Sequence, residues 1–268
     1  MKQAKYLYPF CFILVLSAFC SCQKVINLNL QNSAPQYVIE GNVTDQPGPY
    51  TVTITKSVSF TQDNVYPAVT GAIVVITDNT ANVTDTLKET TPGNYNTSIL
   101  AGVSGHQYSL YVNAASNIFT SSSTMPPAVS LDSLYAQVNS FRGNDYQLVP
   151  VYTDPAPIQG KLNYYHFVEI KNDSAIAAIY IRNDELISNQ KITQPLNGGE
   201  GGSPIIAGDN VTIYLERIDS AIYQYFYGLQ QSGNSNSASP ANPVSNITGG
   251  CLGYFSAHTS SSKSIIVP

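Results

Sequence analysis

From Tyr37 onward the chain alternates apolar and polar residues at the two-residue period of a half-buried strand, and turn residues interrupt it at short intervals. Tyr37 to Thr44 is the first run. Asp45-Gln46-Pro47-Gly48 predicts a turn, with Pro47 pre-setting its φ and Gly48 free to take a positive one. Tyr50, Val52 and Ile54 share one face of the next run, the face expected to be buried. Gly71 to Asp78 is more continuously apolar, as suits a central strand. Residues 84–89, 93–95 and 106–112 bring the total to about seven short strands before Ser121-Ser122-Ser123, which is the spacing of a β-sandwich.

Met125-Pro126-Pro127 predicts a domain boundary, because consecutive prolines neither extend a ladder nor join a helix. Beyond it Leu131 to Phe141 and Tyr146 to Tyr152 alternate again, and Asp154-Pro155-Ala156-Pro157 breaks the chain. Further strands are expected over 163–171, 176–182 and 211–217. Asp219-Ser220 suits the cap of one short helix, 220–231, in which Ile222, Tyr225, Phe226 and Leu229 share a face that should cover a sheet. Gly198 to Gly202 and Ser232 to Ala241 read as loops. The expected fold is all-β: a sandwich domain over 36–125, then a second β-rich domain with one short helix over 126–268.

Composition agrees with that class. Charged residues make up 11 %, there are 19 Tyr and no Trp, and such chains favour pleated strands with neutral polar outer faces.

The amino end reads differently. Lys2 and Lys5 precede an apolar stretch from Tyr6 to Phe19, which closes in Phe19-Cys20-Ser21-Cys22. About 14 residues of helix reach only about 21 Å against a hydrocarbon core of about 30 Å, so a spanning helix is the weaker reading. Residues 1–21 are expected to be a lipoprotein signal peptide, although Phe19 stands where Leu is common; ordinary cleaved export is the alternative. Cleavage after Ser21 would leave Cys22 with diacylglycerol on its thiol and an acyl chain such as palmitate on its amine. Two or three chains anchor far more firmly than one. Residues 22–35 would be a tether, in which Val25, Ile26, Leu28 and Leu30 could pair as an edge strand. Gln23, in place of an aspartate, favours the cell outer membrane and leaves the periplasmic face or the cell surface open.

Loss of Lys2 and Lys5 with the signal takes the formal charge from −5 to −7, so nucleic acid is not an expected partner. Once Cys22 carries lipid, Cys251 is the sole remaining thiol and no intramolecular disulfide can form.

Gly71-Ala72-Ile73-Val74-Val75-Ile76, Gly93-Asn94-Tyr95, Gly102, Gly105, Tyr108, Leu110 and Val112 resemble a transthyretin-like or carboxypeptidase-regulatory-like, immunoglobulin-like sandwich. A longer order adds to this. The lipobox, Val38-Ile39-Glu40-Gly41, the Asp45 to Tyr50 turn, Pro67, Asp132-Ser133-Leu134, Asp154-Pro155, Asn163-Tyr164-Tyr165, Asn242 to Ile247 and Leu252-Gly253-Tyr254-Phe255 succeed one another. In that order the chain is similar to the Bacteroidota lipoprotein family known as domain of unknown function 4249. The resemblance implies an outer-envelope lipoprotein associated with a TonB-dependent receptor, and it brings no reaction, cofactor or catalytic residue. Cys251 departs from it, standing where a smaller residue is usual.

The chemistry-bearing residues point the same way. His106, His166 and His258 show no zinc spacing, so no metal site is expected. Gly102-Val103-Ser104-Gly105-His106 is not a nucleophile elbow, and Ser260-Ser261-Ser262-Lys263 matches Ser-x-x-Lys only within what reads as a serine-rich tail. Gly198 to Gly202 lacks the Lys and Ser/Thr of a phosphate loop. Asp78, Asp85, Asp154 and Asp209 could offer oxygens to calcium but lack the spacing of a calcium loop. Cys251, among glycines and apolar residues, reads as a small core residue rather than a reactive thiol. Thr86, Ser133, Ser174 and Ser220 each follow an Asp and are candidate O-glycosylation acceptors, though Asp-Ser pairs also start strands and cap helices. Tyr164, Tyr165, Tyr223, Tyr225 and Tyr227 offer large flat faces with polar tips, useful either for binding or for core packing. The expected role is non-enzymatic: a binding or accessory subunit, or alternatively a structural or adhesive envelope component.

Overall fold

A computed structural model describes residues 34–59, 63, 65–139, 145–157, 160–196, 204–232 and 242–268. Residues 1–33, which include the expected signal peptide, Cys22 and all but the last two residues of the predicted tether, lie outside them, as do the Gly198 to Gly202 loop and residues 233–241 of the second expected loop. Strands β1 (Tyr37–Thr44) and β2 (Thr51–Lys56) form the first antiparallel pair, with Ile39 opposite Ile54. Their connection contains a cis Gly48–Pro49 peptide, and Gly48 does not take the positive φ that its turn position predicts.

β3 (Ile73–Asp78) is central as expected, lying between β4 (Val83–Thr86) and β7 (Gln107–Ala114). The single strand expected over 84–89 is instead two, β4 and β5 (Lys88–Thr91), parted at Leu87. There the buried side chain enters the core and the amide bonds to Val74 O at 2.9 Å, so the chain crosses from one sheet to the other. β5 then pairs with β6 (Asn94–Asn96). Ser121 to Ser123 do not end the strand series; they lie inside β8 (Asn117–Thr124), paired along β7. The serine-rich pattern of that strand hides its strand character, because an inward position is held by Ser123, whose Oγ accepts from the Ala257 amide at 2.9 Å.

β9 (Leu131–Val138), β10 (Tyr146–Thr153) and β14 (Lys191–Ile192) make a three-stranded sheet. Of the strand expected over 176–182 only the end from Tyr180 is strand, as β13 (Tyr180–Asn183); β12 (Ser174–Ala175) precedes the expected range, and both pair with β11 (Tyr164–Lys171). β15 (Asn210–Ile218) follows, then the helix α1 (Ser220–Ser232), and last β16 (Leu252–Ile266). Ser260 to Lys263 are therefore not a tail: they sit within the longest strand, paired with β15.

β16 organises the molecule. Its first half runs parallel to β1, Val38 opposite Leu252 through Thr44 opposite His258, and its second half runs antiparallel to β15. The result is a nine-stranded sheet ordered β12-β11-β15-β16-β1-β2-β6-β5, with β13 also on β11. Gly253 permits the close approach at the start of β16: its φ is +95°, and a Cβ there would lie 2.0 Å from Ile39 O.

Two hydrophobic cores result. Ile39, Val52 and Ile54 of the large sheet face Val74, Leu110, Val112 and Phe119 of the β4-β3-β7-β8 sheet in a sandwich-like arrangement, joined by Ile247, Cys251 and Phe255 from near the carboxyl end. Leu148 and Tyr152 pack with Tyr165, Phe167, Ile213 and Leu215 in the second. Pro126 lies between β8 of the first core and β9 of the second, the large sheet contributes strands to both cores, and Pro35–Pro268 forms one compact unit.

Candidate functional site

α1 begins where the sequence predicts. Asp219 Oδ1 accepts from the Ile222 amide at 3.0 Å, while Oδ2 accepts from Ser123 Oγ at 2.5 Å, tying the helix start to β8. Ile222 and Tyr225 are buried, Tyr225 and Phe226 pack on Tyr254 of β16, and Phe226 stacks on His166 of β11 at 4.1 Å. Full burial of a side chain such as Ile222 contributes about 1.5–3 kcal/mol to seating the helix.

At this junction a cleft of about 690 Å³ opens between the cores. Its walls come from Ser122 to Thr124 of β8, from residues 160–164 leading into β11, and from Arg217 to Ala221 at the β15–α1 turn. Tyr164 lines it. The Tyr164 ring is backed by Tyr223 at 4.8 Å, and Tyr223 stacks on Tyr227 at 6.3 Å, so three rings form a strip running from the cleft along the helix. Tyr227 is 45 % exposed.

Below the cleft floor lies a polar network. Arg217, 5 % exposed, donates to Pro127 O at 2.9 Å and to Asn163 Oδ1. Asn163 Nδ2 in turn donates to Asp184 Oδ2 at 2.9 Å and to Pro155 O at 2.9 Å. Tyr165 donates to Asp154, which also accepts from the Asn189 amide at 3.0 Å. Burial, then the Asp154 carboxylate, raises the Tyr165 pKa and keeps it a neutral donor. Asp154 and Asp184 are each 1 % exposed, so these carboxylates position Asn163 and Tyr165 rather than meet solvent.

A second polar row lies on the α1-covered face of the sheet. His166 Nδ1 and His258 Nε2 flank Glu216, at 2.8 Å and 3.5 Å, and Ser256 Oγ lies 3.0 Å from His258 Nδ1. Burial raises the Glu216 pKa, but the two imidazoles outweigh it and hold the carboxyl below its usual range. Ser256, His258 and Glu216 have the order of a nucleophile, a base and an acid. Ser256 is only 1 % exposed, so a substrate carbonyl cannot reach its Oγ without displacing its neighbours.

The other predicted residues are placed as follows. Thr86, Ser133, Ser174 and Ser220 are all exposed, and Ser220 lines the cleft. Cys251 is buried in the first core, where loss of solvent pushes its thiol up to about 11. His106 bonds to Asp78 at 2.7 Å. Asp85 accepts from the amides of Ser98, Ile99 and Leu100, and Asp209 accepts from the Ile206 amide. Among the described residues no cluster of His, Cys, Asp and Glu is suited to a metal ion. Of the five tyrosines, Tyr164, Tyr223 and Tyr227 come together at the surface, whereas Tyr165 and Tyr225 are buried. Sequence reading did not single out Lys161, Asn163, Asp184 or Arg217 as site residues. One signal was available: Val211, Ile213, Leu215 and Arg217 share the inward face of β15, and a charge at an inward position needs partners.

A protein-family model described as a domain of unknown function (DUF4249) matches residues 23–264. No curated protein matches the chain.

Proposed function

The chain belongs to the DUF4249 family, and from that premise we propose that it is a non-enzymatic lipoprotein of the outer envelope, a binding or accessory subunit beside a TonB-dependent receptor. Cys22 carries the lipid that holds it to the outer membrane. The observation supporting a binding role is the cleft itself: a tyrosine strip beside an open, polar hollow whose floor is rigidified by a buried hydrogen-bond network. The nine-stranded sheet running past both cores favours one alternative, a structural or adhesive spacer.

Purification from native membranes in mild detergent separates the two. The accessory role is supported by a stoichiometric TonB-dependent receptor in the eluate, and its repeated absence leaves the spacer. Labelling with a palmitate analogue tests the anchor: incorporation should vanish in Cys22→Ala, and label persisting in that variant would remove Cys22 from the proposal. Intact mass of the native protein tests Thr86, Ser133, Ser174 and Ser220 as glycan acceptors, which a mass accounted for by lipid alone would rule out.

A further inference from the structure

We propose that the cleft at the β8, β11 and α1 junction binds a neutral sugar ring, stacked on Tyr164 and held by hydroxyl and amine groups around the rim. This rests on the binding reading above and names its ligand class. The volume of about 690 Å³ falls within the range of about 300–1,000 Å³ that small-molecule sites occupy.

The lining decides the chemistry. Three charged side chains line the cleft, Lys161, Arg217 and Asp219, and the last two are already engaged. Arg217 donates to Pro127 O and Asn163, and Asp219 accepts from Ser123 and the Ile222 amide. An anion would meet one uncommitted cation, the exposed Lys161 ammonium, and a cation only the Asp219 carboxylate already in use. A strongly ionic ligand would therefore have to displace partners in place or leave most of its charge desolvated and unpaired. Around them the side chains of Ser122, Thr124, Ser220 and Lys161 make no hydrogen bond to another group among the described residues. Three hydroxyls that both donate and accept, with one amine that donates, match the alternating donors and acceptors of a polyol.

The stacking surface is preorganised. Tyr223 packs against Tyr164 at 4.8 Å and 38°, which restricts the ring before a ligand arrives. The C–H face of a pyranose is the flat, weakly apolar surface that such a ring accepts, while the sugar's edge hydroxyls face Ser122, Thr124 and Ser220. Stacking on to Tyr223 and Tyr227 gives a linear oligosaccharide a second aromatic contact along the helix.

Since the chain has no Trp, its near-ultraviolet spectrum reports tyrosine, and stacking on Tyr164 is directly visible as a difference spectrum. The full chain, purified in a detergent without a sugar headgroup, is titrated with maltohexaose, cellohexaose, laminarihexaose and mannohexaose, with oligogalacturonate and a Tyr-free peptide mixture as comparisons. At least one neutral oligosaccharide should bind saturably and perturb tyrosine absorption. Tyr164→Ala should weaken it about tenfold, and Tyr164→Phe by no more than about twofold. Should Tyr164→Ala fail to fold, the paired change Thr124→Val and Ser220→Val is expected to weaken the same sugar at unchanged melting temperature. The idea is overturned if no neutral oligosaccharide binds, if only the uronate or the peptides do, or if binding survives the folded variants. A receptor recovered with a protein that binds no sugar leaves the accessory role standing and removes this inference; a sugar bound with no receptor does the reverse.

Discussion

The two cores solve the burial problem in different ways. In the first, the interior is apolar and its buried carboxylates sit at the rim, where backbone amides supply most of their partners: Asp85 takes three besides Ser98 Oγ, and Asp78 takes those of Thr80 and Ala81 besides His106. In the second, Asp154, Asn163, Asp184 and Arg217 bond mainly through side chains, and on the opposite, α1-covered face of the same sheet His166, Glu216 and His258 form another chain across three strands. A core closed by backbone amides depends on local geometry. A core closed by side-chain networks depends on distant residues arriving together, and each member is costly to remove alone. The cleft lies against that second kind of core, which holds its floor at a fixed geometry.

Arg217→Ala is the sharpest way to break this contrast. It leaves Pro127 O and Asn163 Oδ1 without a donor and two buried carboxylates without a nearby cation, so the expected loss is about 4 kcal/mol in urea unfolding. Leu110→Ala in the first core should cost about 3 kcal/mol, the transfer and cavity terms of an apolar truncation. If Leu110→Ala proves the costlier, the second core does not depend on its network as described.

Asp85→Ala should cost about 2 kcal/mol, because three amides lose their acceptor. Burial raises the Asp85 pKa, but those amides outweigh it and leave it lowered. The sign follows: the carboxylate's contribution is complete above the ordinary carboxylate range of about 4 and is lost as pH falls through the lower folded value. Urea midpoints measured from pH 6 down to pH 2 should therefore fall less steeply for Asp85→Asn than for the parent chain. The smallest effect is expected at the helix cap. Asp219→Ala should cost about 1 kcal/mol and loosen α1 from β8, read as faster amide exchange over the first turn of the helix.

Much of the first core was legible in the chain. Val52 and Ile54 alternate with threonines, and Val74 and Ile76 lie in an apolar run. Two of the departures, at β8 and at the end of β16, share one cause. β8 and the second half of β16 carry serines where strands usually carry apolar residues, and their inward positions are satisfied by hydrogen bonds from distant strands. Ser261 Oγ, for example, accepts from the Leu131 amide at 2.9 Å. The cleft was visible only in fragments. Tyrosines marked one wall and Asp219 the helix start, but Lys161 and Asn163 carry no local pattern, and the inward position of Arg217 on β15 shows that it needs partners without showing which.

Side-chain periodicity alone determined the all-β class, most strand positions and the helix α1, because burying one face of a strand or helix leaves a mark at every second or every third to fourth residue. The tertiary structure decided that the last strand lies between the first strand and β15, so that one sheet serves both cores. It also decided which tyrosines reach the surface and where the cleft opens. Those features arise from pairings between residues up to about two hundred positions apart, and pairing at that distance is chosen by global complementarity of register and packing, which no window of sequence contains.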